Sequence, residues 1–173
     1  MIYIGLGGGG DANLNDYYER IVAKAASRPD WHFVYSVAPL LRGPMPPARP
    51  NLHFVKYFPL AEVWHAFDGA ITLRGANTTA ELLHNGIPTI FLPPRGSLFD
   101  NQAGRGQRIM KAEAGFVAAS LDDAELDAAF AALGDPAWRK KISINARKMI
   151  PENGAEFAAE FLLDFASKNV VHD

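Results

Sequence analysis

Three short segments of this chain hold residue types that could do chemistry. The first is Gly7-Gly8-Gly9-Gly10, placed between an apolar run and a helix start. Glycines let the backbone approach a ligand closely, and helix N-terminal N–H groups favour an anion. A phosphate is the natural guest, and a plain strand-to-helix turn needs fewer glycines. The second segment is Arg74-Gly75-Ala76-Asn77-Thr78-Thr79-Ala80-Glu81. Here Gly75 permits close approach, Asn77 and Thr78 can bond a phosphate, and Glu81 can accept two vicinal hydroxyls. Thr78 with Glu81 also fits a capping box, a purely structural alternative. The third is Asp100-Asn101-Gln102, where carboxylate and carboxamide together suit the hydroxyls of a sugar. Its structural alternative is an N-cap formed by Asp100 or Asn101.

Other chemistries find no support. Gly5-x-Gly7-x-x-Gly10 matches a dinucleotide fingerprint, but Tyr35-Ser36-Val37 offers no acidic residue for a ribose at the end of the second strand. No G-x-x-x-x-G-K-[ST] loop and no G-x-S-x-G elbow occurs. With 0 cysteines, a disulfide framework, a thiolate zinc site and a cysteine nucleophile are excluded. None of the 5 histidines stands four residues from another, which removes the helical metal pair. His32, His53 and His84 read as surface or capping residues. A net charge of −2 gives no basic stripe for nucleic acid.

The elements that must position these segments follow from periodicity. Apolar runs at Ile2–Leu6, His32–Val37, Leu52–Lys56, Ala70–Leu73, Ile87–Pro93 and Phe116–Ala118 read as strands. Between them lie helical segments from Leu14 to about Ser27, Pro59–Ala66, Thr78–Asn85 and Asn101–Ala114. Three further helices follow, at Asp122–Leu133, Pro136–Met149 and Gly154–Ser167. Ala38–Pro50, with five of the 12 prolines, reads as an irregular loop. The alternation predicts an α/β fold: a single Rossmann-like, doubly wound parallel sheet of about six strands with helices on both faces. One domain accounts for residues 1–173. Ligands on such sheets bind beyond the carboxyl ends of the strands, where all three segments fall. In the last helix Phe157, Phe161, Leu162, Leu163 and Phe165 form an apolar face. It lacks the lysines of a membrane-surface helix and reads as a docking face. No basic stretch precedes Ile2–Leu6, so the N-terminus reads as a strand and not a signal peptide, and the chain is expected to be cytoplasmic.

Taken together the segments resemble the nucleotide-sugar-binding C-terminal domain of GT-B glycosyltransferases, in particular the MurG-like family 28 branch. The likeness runs from Ile2 to about Phe165. It is carried by Phe67-Asp68-Gly69-Ala70-Ile71-Thr72-Leu73-Arg74-Gly75-Ala76-Asn77-Thr78-Thr79-Ala80-Glu81-Leu82, then Gly86-Ile87-Pro88, Pro93 and Asp100-Asn101-Gln102.

The resemblance implies that Gly8, Gly9 and Gly10 contact a donor diphosphate, and that backbone around Tyr57 and Phe58 reads a uracil edge. It implies that Ala76, Asn77 and Thr78 hold phosphates beside Gly75, that Glu81 binds the ribose, and that Asp100 and Gln102 bind the transferred sugar. Two positions depart from the pattern. Where relatives carry His or Arg this chain has Leu73, with the cation next, at Arg74. Where relatives read Asn-Ala after the D-x-Q motif, this chain has Arg105-Gly106.

The function so implied is the UDP-sugar-binding half of an inverting glycosyltransferase, needing no cofactor beyond its donor and no metal. The acceptor would sit on a missing N-terminal domain or a separate subunit. That partner would supply the catalytic base and any peripheral membrane association. A non-catalytic nucleotide-sugar-binding module is one alternative. A nucleotide-sugar hydrolase or epimerase is another, and would need Asp100 or His84 as its acid or base.

Overall fold

The computed structural model describes residues 1–7, 15–37, 49–57, 59–93, 101–152 and 154–169. Six strands form one sheet: β1 (Ile2–Gly5), β2 (Phe33–Ser36), β3 (Leu52–Val55), β4 (Gly69–Thr72), β5 (Thr89–Phe91) and β6 (Phe116–Val117). Their order is β3-β2-β1-β4-β5-β6 and every pairing is parallel. The helices are α1 (Asn15–Ala26), α2 (Ala76–His84), α3 (Gln102–Lys111), α4 (Asp123–Gly134), α5 (Pro136–Met149) and α6 (Gly154–Asn169), with a 3₁₀ helix at Leu60–Ala66. This is the doubly wound fold expected from the alternation of strands and helices.

The pleat explains why the central strands are apolar on both faces. Ile2, Ile4, Ile71 and Ile90 point into one core with Tyr17, Ile21 and Val22 of α1 and Leu126 and Phe130 of α4. Tyr3 and Ala70, one residue out of phase, meet Trp64 of the 3₁₀ helix and Leu82 of α2 on the other face. Phe91 faces Leu83 of α2, Ile109 of α3 and Ala146 of α5. Each fully buried large side chain contributes about 1.5–3 kcal/mol. Local signals set the helix ends. Asp122 caps α4 through Glu125 N–H at 2.9 Å, and Asp135 caps α5 through Ala137 N–H at 2.8 Å, with Pro136 first in the helix. Gly86, at φ +66°, ends α2.

α6 stands apart from this packing, since all of its described side chains are exposed. Phe157 and Leu163 are 73% and 72% exposed. Among the described residues, no helix is long and apolar enough to cross a membrane.

Candidate functional site

The strand order places a switch point between β1 and β4. β1 leads through α1 to β2 on one side, and β4 leads through α2 to β5 on the other. The two chains therefore diverge above a shared base, which opens a crevice at the carboxyl edge. That base is tied by Thr72, whose hydroxyl donates to Gly5 O at 2.7 Å. Beyond it Gly7 holds φ +92°, a left-handed conformation that favours glycine, and its open side faces Leu73. Gly7 and Leu73 thus lie side by side where β1 and β4 leave the sheet. Gly8, Gly9 and Gly10 themselves lie outside the described residues, as do Phe58 and Asp100.

Across the crevice stands the N-terminus of α2. The helix begins at Ala76, two residues before the expected Thr78, because extended Gly75 acts as its N-cap. The capping box does not form: Gly75 offers no side chain, Thr78 is the third helical residue, and Glu81 lies a turn further on. The first helical hydrogen bond runs from Thr79 N to Gly75 O, at 3.0 Å. The N–H groups of Ala76, Asn77 and Thr78 therefore have no acceptor within the helix. Ala76 and Asn77 are exposed, and no described residue lies within 4 Å of where a Gly75 side chain would start. Three convergent donors at the positive end of a helix dipole make a seat for an anion. The hydroxyl of Thr79, a residue without special mark in the sequence, is buried here with no partner among the described residues.

Glu81 faces the 3₁₀ helix. Trp64 Nε1 donates to Glu81 Oε2 at 3.2 Å, and Trp64 is itself packed edge-on against Tyr3, with ring centroids 5.0 Å apart. This fixes one carboxylate oxygen and leaves Oε1 with no partner among the described residues. Burial pushes the Tyr3 phenol up to about 12; a hydrogen bond with Ser36 opposes the shift and the Glu81 charge adds to it. After β3, the exposed Tyr57 donates its hydroxyl to Glu62 Oε2 at 2.6 Å.

Arg74 takes a different place from the one its position in the loop suggests. It is 6% exposed, and its guanidinium turns beneath α3 instead of outward. Nε donates to Leu92 O at 2.9 Å and Nη2 to Ala118 O at 3.2 Å. These bonds tie the ends of β4, β5 and β6 together. Burial lowers the pKa of Arg74, while neighbouring Tyr17 opposes this. Arg105 in turn donates to the Arg74 carbonyl. Gly106 lies against the guanidinium, where no side chain would fit. The two departures noted in the sequence, Leu73-Arg74 and Arg105-Gly106, are thus one packed unit.

At the start of α3, Asn101 is the N-cap and accepts from Gly104 N–H at 2.9 Å. Gln102 is half-buried, and its Oε1 has no partner among the described residues. Far from this edge, His32 Nδ1 and His53 Nε2 lie 3.1 Å apart at the amino ends of β2 and β3. The parallel register of β2 and β3 makes that pair, which sequence spacing does not show. Among the described residues, no three His, Asp or Glu side chains group to hold a metal.

No family model matches the chain, and no curated protein matches it. Solved structures do. The glycotransferase of kitacinnamycin superposes with a TM-score of 0.71 at 22% identity, over 94% of this chain and 42% of that one. The glycosyltransferase SnogD from Streptomyces nogalater gives 0.64 at 20% identity, over 94% and 42%. The spinosyn rhamnosyltransferase SpnG, complexed with thymidine diphosphate, gives 0.67 at 22% identity, over 89% and 41%. At these identities the likeness establishes the fold, a Rossmann-like unit matching the C-terminal half of GT-B glycosyltransferases. The chain spans about two-fifths of the length of these structures.

Proposed function

We propose that this chain is the donor-binding domain of an inverting glycosyltransferase and holds a nucleoside-diphosphate sugar in the crevice between β1 and β4. The observation that carries the reading is the N-terminus of α2, where the Gly75 cap supplies no side-chain acceptor and three N–H groups have none within the helix. A diphosphate there would be gripped by Ala76, Asn77 and Thr78 from one side and by Gly8, Gly9 and Gly10 from the other. Glu81, steadied by Trp64, would accept the ribose hydroxyls. Backbone at Tyr57 and Phe58 would meet the base, and Asp100 and Gln102 the transferred sugar. Gly75 keeps the approach open, and Arg74 braces the loop from below.

The contribution of such a domain to catalysis is electrostatic. Preorganised N–H donors stabilise the charge that develops on the departing diphosphate, and need no reorganisation during transfer. The acceptor and the catalytic base belong to a partner domain, for which the exposed apolar face of α6 is the docking element. The shorter length relative to the matched structures supports this division. UDP is the nucleotide favoured by the MurG-like motif set. The thymidine diphosphate held by SpnG makes dTDP the second candidate.

Thermal melting with UDP, dTDP and UDP-sugars tests the reading. Any ligand of the native state raises the midpoint. A rise with UDP that shrinks in Thr78→Ala or Glu81→Ala supports it. No rise at millimolar nucleotide refutes it. A second reading, binding without transfer, is favoured by the inward turn of Arg74, whose guanidinium is spent on Leu92 O and Ala118 O. It predicts the same melting shifts but no transfer when the acceptor-binding partner is supplied.

A further inference from the structure

The opposite edge of the sheet holds a second feature, a cleft of about 640 Å³ between α5 and the C-terminal end of α2. It lies roughly 13 Å from the α2 N-terminus, the length of the helix at 1.5 Å per residue. Arg139, Lys140, Ser143 and Arg147 line one side, and His65 and His84 the other; among the described residues no carboxylate lines it. The imbalance comes from α5, which carries Arg139, Lys140, Lys141, Arg147 and Lys148 and no acidic residue, in a chain of net charge −2.

Helix stability accounts for Arg147 and Lys148, which sit in the last turn of α5, but not for the other cations. The first turn of α5 has no acidic residue, and Arg139 and Lys140 follow at its positive dipole end, where cations are unfavourable. Fold-holding bonds explain part of the cluster. Arg139 Nη1 donates to Leu133 O at 2.8 Å. Arg147 donates to Ser143 Oγ at 2.9 Å and to Asn85 O at 3.1 Å, lying over Gly86, where a Cβ would be 2.7 Å from the guanidinium. The exposed Lys140 makes no hydrogen bond or ion pair among the described residues. Beside the C-terminal end of α2, the cleft thus presents oriented guanidinium groups, a free ammonium and a hydroxyl. All of these suit the acceptor oxygens of an oxyanion, and the volume exceeds that of one phosphate group.

We infer that this cleft is a second anion-binding site, separate from the donor crevice, and that it takes a small ligand bearing two or more phosphate groups. Inorganic pyrophosphate is the probe, followed by amide ¹⁵N–¹H spectra of the full chain at about 150 mM salt, where diffuse charge attraction is screened. Saturable shifts at Gly86, Lys140 and Ser143 are expected. Lys140→Glu should weaken them about tenfold or more, through loss of one charge-assisted bond and gain of a repulsive charge. It should leave any shifts at Ala76, Asn77 and Thr78 in place. The substitution puts an acid near a helix N-terminus, so the fold should keep its melting midpoint. Lys140→Ala supplies a milder version of the same loss. Lys148→Glu, with the same charge change on the same helix but outside the cleft, should alter affinity less than about twofold. Two results would overturn the site: pyrophosphate shifts confined to Ala76–Thr78, or equal losses in Lys140→Glu and Lys148→Glu. The donor reading stands or falls separately, on the Ala76–Thr78 signals.

Discussion

Arg74 and Gly106 compete for one volume: a Cβ built on Gly106 would lie 2.4 Å from Arg74 Nη1. Because Arg74 is held at Leu92 O and Ala118 O, it cannot swing aside cheaply. Gly106→Ala should therefore destabilise the fold by about 1–3 kcal/mol, despite the better helix propensity of alanine. Arg74→Ala should cost about 2–4 kcal/mol by stranding buried carbonyls. In the Arg74→Ala background the sign should reverse, with Gly106→Ala stabilising by up to about 1 kcal/mol. Urea denaturation of the four proteins measures this cycle. Additive losses would mean that the two residues do not share space.

The Trp64–Glu81 bond gives a test confined to the ribose side of the crevice. Trp64→Phe keeps an aromatic ring against Tyr3 but removes the Nε1–H donor. Nucleoside diphosphate affinity should fall about three- to tenfold, the value of one hydrogen bond to a charged group less what water restores. UDP should lose more than dTDP, which lacks the 2′-hydroxyl. Calorimetric titration of both nucleotides reads the ratio, and equal losses would place Glu81 away from the ribose.

Tyr3 ties stability to alkaline pH. Its pKa rises from 10.0 to about 12 on folding, chiefly through burial. Between these values the unfolded chain has released the proton while the native chain keeps it. The unfolded state then binds fewer protons, and stability falls with rising pH by at most about 1.4 kcal/mol per unit. Burial of Tyr35 acts in the same direction. Below pH 10 the contribution is constant. Tyr3→Phe should flatten the decline between pH 10 and 12, as read from urea midpoints. An unchanged slope would show that Tyr3 is not the group responsible.

Much of this architecture is legible in the sequence, for identifiable reasons. α5 begins at Pro136 and ends at Met149 as expected, because Asp135, Pro136 and the apolar period agree. β1 is a short apolar run that ends in glycines and β4 one set between Gly69 and Gly75, and their alternation with helices implies a parallel sheet. The start of α2 is not legible, since Thr78 and Glu81 mimic a capping box while the real cap, Gly75, has no side chain to mark it. Arg74 misleads for another reason. Its partners lie 18 and 44 residues away, and the space it fills is marked only by a missing side chain at Gly106. Trp64 and Thr79 escape notice because one looks like core and the other like part of a helix.

The apolar face of α6 should be dispensable for folding and necessary for docking. Leu163 is 72% exposed and Phe161 60%. A Phe161→Asp, Leu163→Asp double variant should melt within a few degrees of the wild type, as exposed substitutions do. It should also bind the acceptor-binding partner more weakly, as read by sedimentation velocity of the mixture. A large drop in melting temperature would instead show that the helix is packed against its own domain.

Ala76→Pro asks whether the N–H groups at the start of α2 grip a nucleotide diphosphate. Proline is favoured at the first helical position, and the extended Gly75 before it is compatible. The substitution thus removes one donor while sparing the helix. UDP titration followed at the Asn77 and Thr78 amides should show saturable shifts in the wild type. In Ala76→Pro the affinity should be about tenfold lower at an unchanged melting midpoint. Wild-type amides that stay still at millimolar UDP and dTDP, or a proline variant that binds as tightly as the wild type, would contradict the account.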